Sequence, residues 1–346
     1  MPAIYPVILC GGSGARLWPV SRKAVPKPFL PLVSKETLFE QAVRRVASDD
    51  RFAPPIVIAG AAHADLITAQ LGDAPGARLV IEPAARNTAP AIALAAALLP
   101  EDAVMLVCPS DHHIADAPAF RAAALDAAAL AREDYLVSFG ITAERPETGY
   151  GYLRRGAPVS GGYAIREFVE KPDLARAEAY VASGEYCWNG GIFAFRAGQL
   201  LAELAAHRPE MARLVRAAVN DGITDGLNFH PAAQPFIAID GDSIDYAVME
   251  NTTRAAMVPA SMGWSDIGNW AALGDALADQ ADAAGNVVCG TADLSQCSGV
   301  FVMSDGPRIS AVGLQDVCIV VCGNEVLITT RDGAQAVGKL PGAVHQ

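Results

Sequence analysis

The sequence predicts an α/β protein: an open, mainly parallel sheet with helices on both faces, followed by a small β domain. Three observations predict it. Short apolar runs at 4–10, 56–59, 79–81, 104–108 and 135–139 alternate with helically spaced segments at 37–47, 63–71, 89–99 and 120–132. The first run ends in Gly11-Gly12, as a buried strand does where it turns. From 286 to 328 short β-type runs are separated by Gly, Asp and Asn turns. Strand–helix alternation builds a parallel sheet covered on both sides. Ligands of such sheets bind beyond the carboxyl ends of the strands.

The pattern loosens after Gly140. Residues 150–153 and 164–170 read as strands, 173–183 as a helix, 192–195 as a strand, and 200–219 as a helix broken at Pro209. After 270–277 the helices stop. The expected division is a domain over 1–284 and a β domain over 285–346. With 346 residues, 52% of them hydrophobic, the chain can bury a substantial core.

A net charge of −12 argues against nucleic acid or an anionic membrane as partner. It leaves room for a small anionic substrate, which needs only local positive charge. The seven cysteines are odd in number, form no CxxC and sit mostly in apolar runs. They read as reduced, buried thiols of a cytoplasmic protein. No signal peptide or membrane-length apolar stretch is visible.

Gly11-Gly12-Ser13-Gly14-Ala15-Arg16-Leu17 follows the first strand. Three glycines in four residues let backbone N–H groups approach phosphate oxygens. The loop lacks the GKS or GKT of a Walker A motif, and Leu17 stands where a dinucleotide fingerprint needs glycine. Cations follow at Arg16, Arg22, Lys23 and Lys27, which suits a polyphosphate; a glycine-rich turn with solvated charges explains them as simply. Asp111, just past the run 104–108, fits a Mg2+ ligand with Asp266 as a second. It equally fits a helix cap or turn. The adjacent His112-His113 point to opposite faces and lack partners at metal-ligand spacing. Glu170-Lys171, at the end of 164–170, offers a hydroxyl acceptor and a compact phosphate-binding charge. The segments 147–152 and 188–192 supply glycines, an amide and aromatic rings for a sugar pocket, or simply tight turns.

Nine segments in order then resemble the bacterial mannose-1-phosphate guanylyltransferases: GGSGARLWPVSR, PKPFL, EPAARNTAPAIALAA, PSDHHI, ETGYGYL, FVEKPD, WNGGIFAFR, SIDYAVME and WSDIGNW. The resemblance implies a Rossmann-like nucleotidyltransferase fold with a mainly parallel mixed sheet. It implies a C-terminal left-handed β-helix-like domain that supports homodimers. The implied substrates are GTP and mannose 1-phosphate, with Mg2+ as cofactor. By the same resemblance Gly11, Gly12, Gly14 and Arg16 hold the triphosphate, assisted by Lys27. Glu82, Arg86, Asn87 and Ser110 complete the nucleotide site. Asp111 and Asp266 bind Mg2+, Gly149, Glu170 and Asn189 hold the mannose, and Lys171 holds its phosphate. Four positions depart from the family's usual residues: Ala15 for Thr or Ser, Pro28 for Gln, Gly190 for Ser and Asn269 for Ser. The isomerase domain of fused relatives is not expected here.

Overall fold

The computed structural model describes residues 3–345 except 13, 48 and 73. These residues divide into two compact units. The larger comprises residues up to Gly11, 42–110 and 114–264; the other comprises 12–41, 111–113 and 265 onward. The chain therefore passes repeatedly from one to the other. The second unit takes in 265–284 and the first loop together with the C-terminal strands.

The larger unit is built on one sheet. Its strands are β1 (Ile4–Cys10), β2 (Ile56–Gly60), β3 (Arg78–Glu82), β4 (Val104–Pro109), β5 (Leu136–Thr142), β6 (Tyr152–Val159), β7 (Gly162–Val169), β8 (Tyr186–Arg196), β9 (Ile223–Asp225), β10 (Asn228–His230) and β11 (Ala255–Pro259). Their order is β9-β10-β3-β2-β1-β4-β8-β5-β11-β7-β6, with β6 also pairing with β8. Strands β1 to β4 run parallel, with Leu9 opposite Pro109 and Gly60 opposite Glu82. β8 is antiparallel to both β4 and β5, which makes the sheet mixed.

Alternation along β4 shows how the faces are filled. Met105 and Val107 join a core with Ile92, Leu94, Leu204 and Val215. Val104, Leu106 and Cys108 join another with Phe120, Ala124 and Leu130. Side chains of successive strand residues point to opposite faces, so a fully apolar strand needs a helical layer on each. Helix Thr88–Ala97 is buried all round, from Ala89 to Ala96. Its alanines let it lie between the sheet and the helices Ala197–His207 and Pro209–Asn220.

The second unit has its own core of Leu17, Trp18, Leu38, Ile267, Trp270, Phe301, Cys318, Val320, Leu327 and Val337. The Trp270 indole N–H donates to the Trp18 carbonyl at 2.9 Å. The C-terminal strands stack in parallel ladders, Val287 opposite Phe301 and Phe301 opposite Cys318. This is the β-rich region the turn pattern predicts. Helical structure does return after it, as a 3-10 stretch Asp332–Lys339 and a turn of helix Pro341–Val344. Ala334, Val337 and Ala343 bury apolar surface there, and that spacing is too short to stand out in the sequence.

The seven cysteines are free thiols, five of them buried. Burial pushes the Cys108 thiol up to about 12, so it stays protonated and unreactive. No helix among the described residues is long and apolar enough to cross a membrane.

Ala95 is fully buried within Thr88–Ala97. Ala95→Leu keeps helix propensity but overfills the layer, which costs ~1–3 kcal/mol. A lowered urea midpoint with an unchanged slope is the expected result.

Candidate active site

In the second unit the first loop is folded around a lysine. Gly12 and Gly14 have φ of 87° and 59°, a region open to glycine without strain. Gly14 also has no space for a side chain. A Cβ there would lie 2.5 Å from Ser21 Oγ and 2.7 Å from Lys27 Cβ. Ser13, within the same loop, lies outside the described residues. Lys27 opens the 3-10 turn Lys27–Phe29, and its side chain is only 7% exposed. Its Nζ pairs with Asp111 Oδ2 at 2.7 Å and donates to the Asp266 carbonyl at 2.5 Å. Burial by itself pushes the Asp111 carboxyl up; the Lys27 charge and, more weakly, His112 outweigh it and hold it below the usual carboxylate range.

Asp266 Oδ1 accepts from the Gly268 N–H at 3.0 Å. A Cβ on Gly268 would meet both Asp266 Oδ2 at 2.8 Å and an Arg16 guanidinium nitrogen at 3.3 Å. Arg16 also donates to Gln335 Oε1 at 2.8 Å. Arg16, Lys27, Asp111 and Asp266 are thus brought together within one unit. Gln335 has no sequence signal that marks it.

Two oxygen-bearing side chains at this place suit a hard cation. Mg2+ is commonly held by one or two carboxylates, with water and substrate phosphates completing its shell. Asp111, kept ionised by its lysine, fits that role. No group of three or more His, Cys, Asp or Glu at metal-binding spacing occurs among the described residues, so His112 and His113 form no such cluster.

Three of the four departures have a local reason. Pro28 is buried in the first turn of its 3-10 helix, where a missing N–H costs nothing. Asn269 caps helix Trp270–Ala276, accepting from the Ala272 N–H at 3.0 Å; Ser caps about equally well. At Gly190 a Cβ would lie 3.1 Å from the Phe139 carbonyl. Nothing in the structure explains Ala15.

In the larger unit, strand ends, loops and strand β8 carry the remaining residues. Glu82 terminates β3, and its Oε1 is buried with no hydrogen-bond partner among the described residues. Burial pushes its carboxyl up to about 7. Ser110, just past β4, is fully buried with its Oγ likewise unpartnered. Arg86 donates to the Ile237 carbonyl at 2.6 Å. Asn87, at φ 67°, accepts from the Thr88 N–H and caps the next helix.

The predicted sugar residues gather around Gly151. A Cβ on Gly151 would lie 2.5 Å from Glu170 Oε2 and 3.2 Å from Asn189 Cβ. Gly149 lies in the turn just before it, with open space around its Cα. Lys171, at φ 49°, pairs with Glu170 Oε1 at 2.8 Å. Tyr150 packs edge-on against Trp188 and Trp264, with ring centroids 5.3 Å apart in each case. Asp245 joins this group by accepting from Asn189 Nδ2 at 2.9 Å. Its motif, SIDYAVME, stands out in the sequence, but no role for the acid follows from sequence alone. An Asp inside an otherwise apolar run was the available signal.

The nucleotidyl transferase family matches residues 5–283, and the chain belongs to that family. Within it the chain is a homologue of the mannose-1-phosphate guanylyltransferases. It is 41% identical to the mannose-1-phosphate guanylyltransferase of Escherichia coli K12, over 97% of this chain and 72% of that one. It is 40% identical to the Klebsiella pneumoniae enzyme of that name, over 97% and 73%. A Thermus thermophilus crystal structure, named as a mannose-1-phosphate geranyltransferase, superposes over the full length of both chains with a TM-score of 0.89 at 32% identity.

The raised Glu82 carboxyl has a consequence for stability. The native state binds the proton more tightly than the unfolded chain, so stability falls as pH rises from about 4.5 toward about 7. Glu82→Gln should match the wild type near pH 4.5 and melt higher above pH 7. A gain of about 1 kcal/mol corresponds to roughly 2–4 °C, and thermal melts across that range check it.

Proposed function

We propose that the chain transfers a guanylyl group from GTP to α-D-mannose 1-phosphate, yielding GDP-mannose and pyrophosphate. The carrying observation is the tie from Lys27 to the Asp111 carboxylate and the Asp266 carbonyl, with the glycine loop folded onto the same lysine. Fixed charge of this kind serves phosphoryl chemistry, where positioning and neutralisation supply most of the catalysis.

The attacking group is a phosphate monoester. Its second pKa is near ~6, so it is largely dianionic at neutral pH and needs no general base. One oxygen of the sugar phosphate bonds to the α-phosphorus in line, the bond to the β-phosphate oxygen breaks, and pyrophosphate carries away the electron pair. Gly11, Gly12 and Gly14 offer backbone N–H groups to the triphosphate. Arg16 and Lys27 stabilise the leaving pyrophosphate, and Lys171 receives the sugar phosphate. Mg2+, held by Asp111 and Asp266, would neutralise phosphate charge.

The base preference follows from Glu82. Guanine presents two adjacent donors, N1–H and the 2-amino group, to a carboxyl with an unpaired buried oxygen. Uracil and thymine present one N–H between two carbonyls, which a carboxylate repels. Glu170 and Asn189, with Gly149 beside them, receive the sugar. The reading takes 1–284 as catalytic and 285–346 as a β domain through which two copies pair. Exposed Val312, Val326 and Ile328 on its strands favour self-association.

Pyrophosphate release from each nucleoside triphosphate with a panel of sugar 1-phosphates is the decisive test. GTP with mannose 1-phosphate should be the best pair; a tenfold preference for another pair overturns the assignment. Asp111→Ala should lower kcat on the order of 10²–10³-fold, and near-normal turnover at saturating Mg2+ would remove Asp111 from the metal site. Lys171→Ala should raise KM for the sugar phosphate about tenfold or more, as losing a charge-assisted hydrogen bond does. An effect confined to KM for GTP would show the two substrates to be wrongly assigned.

A further inference from the structure

We propose that Asp245 is a specificity-determining residue of the sugar subsite, its carboxyl acting with that of Glu170 to read a pyranose hydroxyl across the bare Cα of Gly151. This rests on the sugar 1-phosphate reading above and adds to it a residue and a task.

The geometry begins with Asn189, which is buried at 9% exposure. Its Oδ1 accepts from Ser138 Oγ at 2.7 Å and from the Gly191 N–H at 3.1 Å. Those bonds fix the amide's orientation and aim Nδ2 at Asp245 Oδ1. Asp245 Oδ2 is then the oxygen able to meet a ligand. Glu170 is oriented from its other side, Oε1 taken by Lys171 and Oε2 lying over Gly151. A hydroxyl both donates and accepts, so two carboxyl groups beside it can engage it on both counts.

The local backbone supports a functional placement. Asp245 opens a single turn of π-helix, Asp245–Met249, a distortion found often at functional sites. Lys171 holds a left-handed conformation that a non-glycine residue adopts at a cost. The groups facing Asp245 are Glu170, Lys171 and Asn189. Tyr246 adjoins it in sequence, and Glu250 accepts from the Glu170 N–H. Burial first, and then the neighbouring Glu170, push the Asp245 carboxyl up to about 7. Near neutral pH the Asp245 carboxyl is therefore part protonated and can donate as well as accept. A purely structural acid would serve equally well as an amide, since Asn at 245 can still accept from Asn189.

That difference sets the experiment, run on the intact protein. Asp245→Asn should raise KM for mannose 1-phosphate about tenfold or more while KM for GTP stays within about twofold, the loss expected when a charge-assisted hydrogen bond goes. A series of monodeoxy mannose 1-phosphates completes the test. In the wild type, removal of one particular hydroxyl should lower kcat/KM at least about tenfold; in Asp245→Asn that penalty should shrink toward unity. If the Asn variant misfolds by thermal melt, Asp245→Ser is read in the same way. Unchanged KM for the sugar phosphate, or deoxy penalties equal in variant and wild type, overturns the role of Asp245. A wild type inactive with every sugar 1-phosphate instead overturns the functional reading beneath it.

Discussion

Lys27 is where the chemistry of the second unit is decided. An ammonium group at 7% exposure is tolerated only with a countercharge and acceptors, because removing it from water costs several kcal/mol. Here those partners come from two chain segments distant in sequence, the Asp111 carboxylate and the carbonyls of Asp266 and Ile267. A third segment, the loop carrying Gly14, presses against the lysine's Cβ. The single cation thereby fixes the relative positions of Gly14, Asp111 and Asp266. It also explains why no bulkier residue fits at Gly14. A pair so arranged is neutral in isolation and is perturbed when a polyanion or a divalent cation competes for either member.

The predicted sugar residues follow the opposite logic. There no single charge dominates. Glu170 is offset by Lys171, and Asn189 mediates between Ser138 and Asp245. Such networks are exacting because a group left without its partner in a low-dielectric setting is costly. The result is a set of acceptors and donors held in fixed directions.

Much of the fold is legible in the sequence. The runs at 4–10, 56–59, 79–81 and 104–108 are strands of one sheet because each is apolar on both faces. The alanine segment at 89–99 forms a helix because small side chains suit a buried layer. Hairpin strands β9 and β10, of three residues each, and strand β11, Ala255–Pro259, carry no clear sequence signal. They are too short, or too like a buried helix turn, for periodicity to identify. Lys27 stood out as a cation near a glycine loop, yet its burial depends on contacts with residues more than 80 and 230 positions away. No local pattern encodes such contacts. Arg86 and Asn87 show the converse: a polar run that looks ready for a ligand is engaged with the Ile237 carbonyl and a helix cap.

Backbone conformation explains why several of these positions resist prediction. Asn87, Lys171 and Ile267 all have positive φ, and for a β-branched residue such as Ile267 this is a true outlier. Ile267 is fully buried in the core with Trp270 and Leu17, so packing supplies the energy that holds its strained turn. That turn sets the Asp266 and Ile267 carbonyls toward Lys27 and the Gly268 N–H toward Asp266 Oδ1. The cost of the backbone is therefore met by apolar burial on one side of the turn and returned as oriented dipoles on the other. A sequence displays the apolar residue and the acid, but the strain connecting them exists only once the chain has folded.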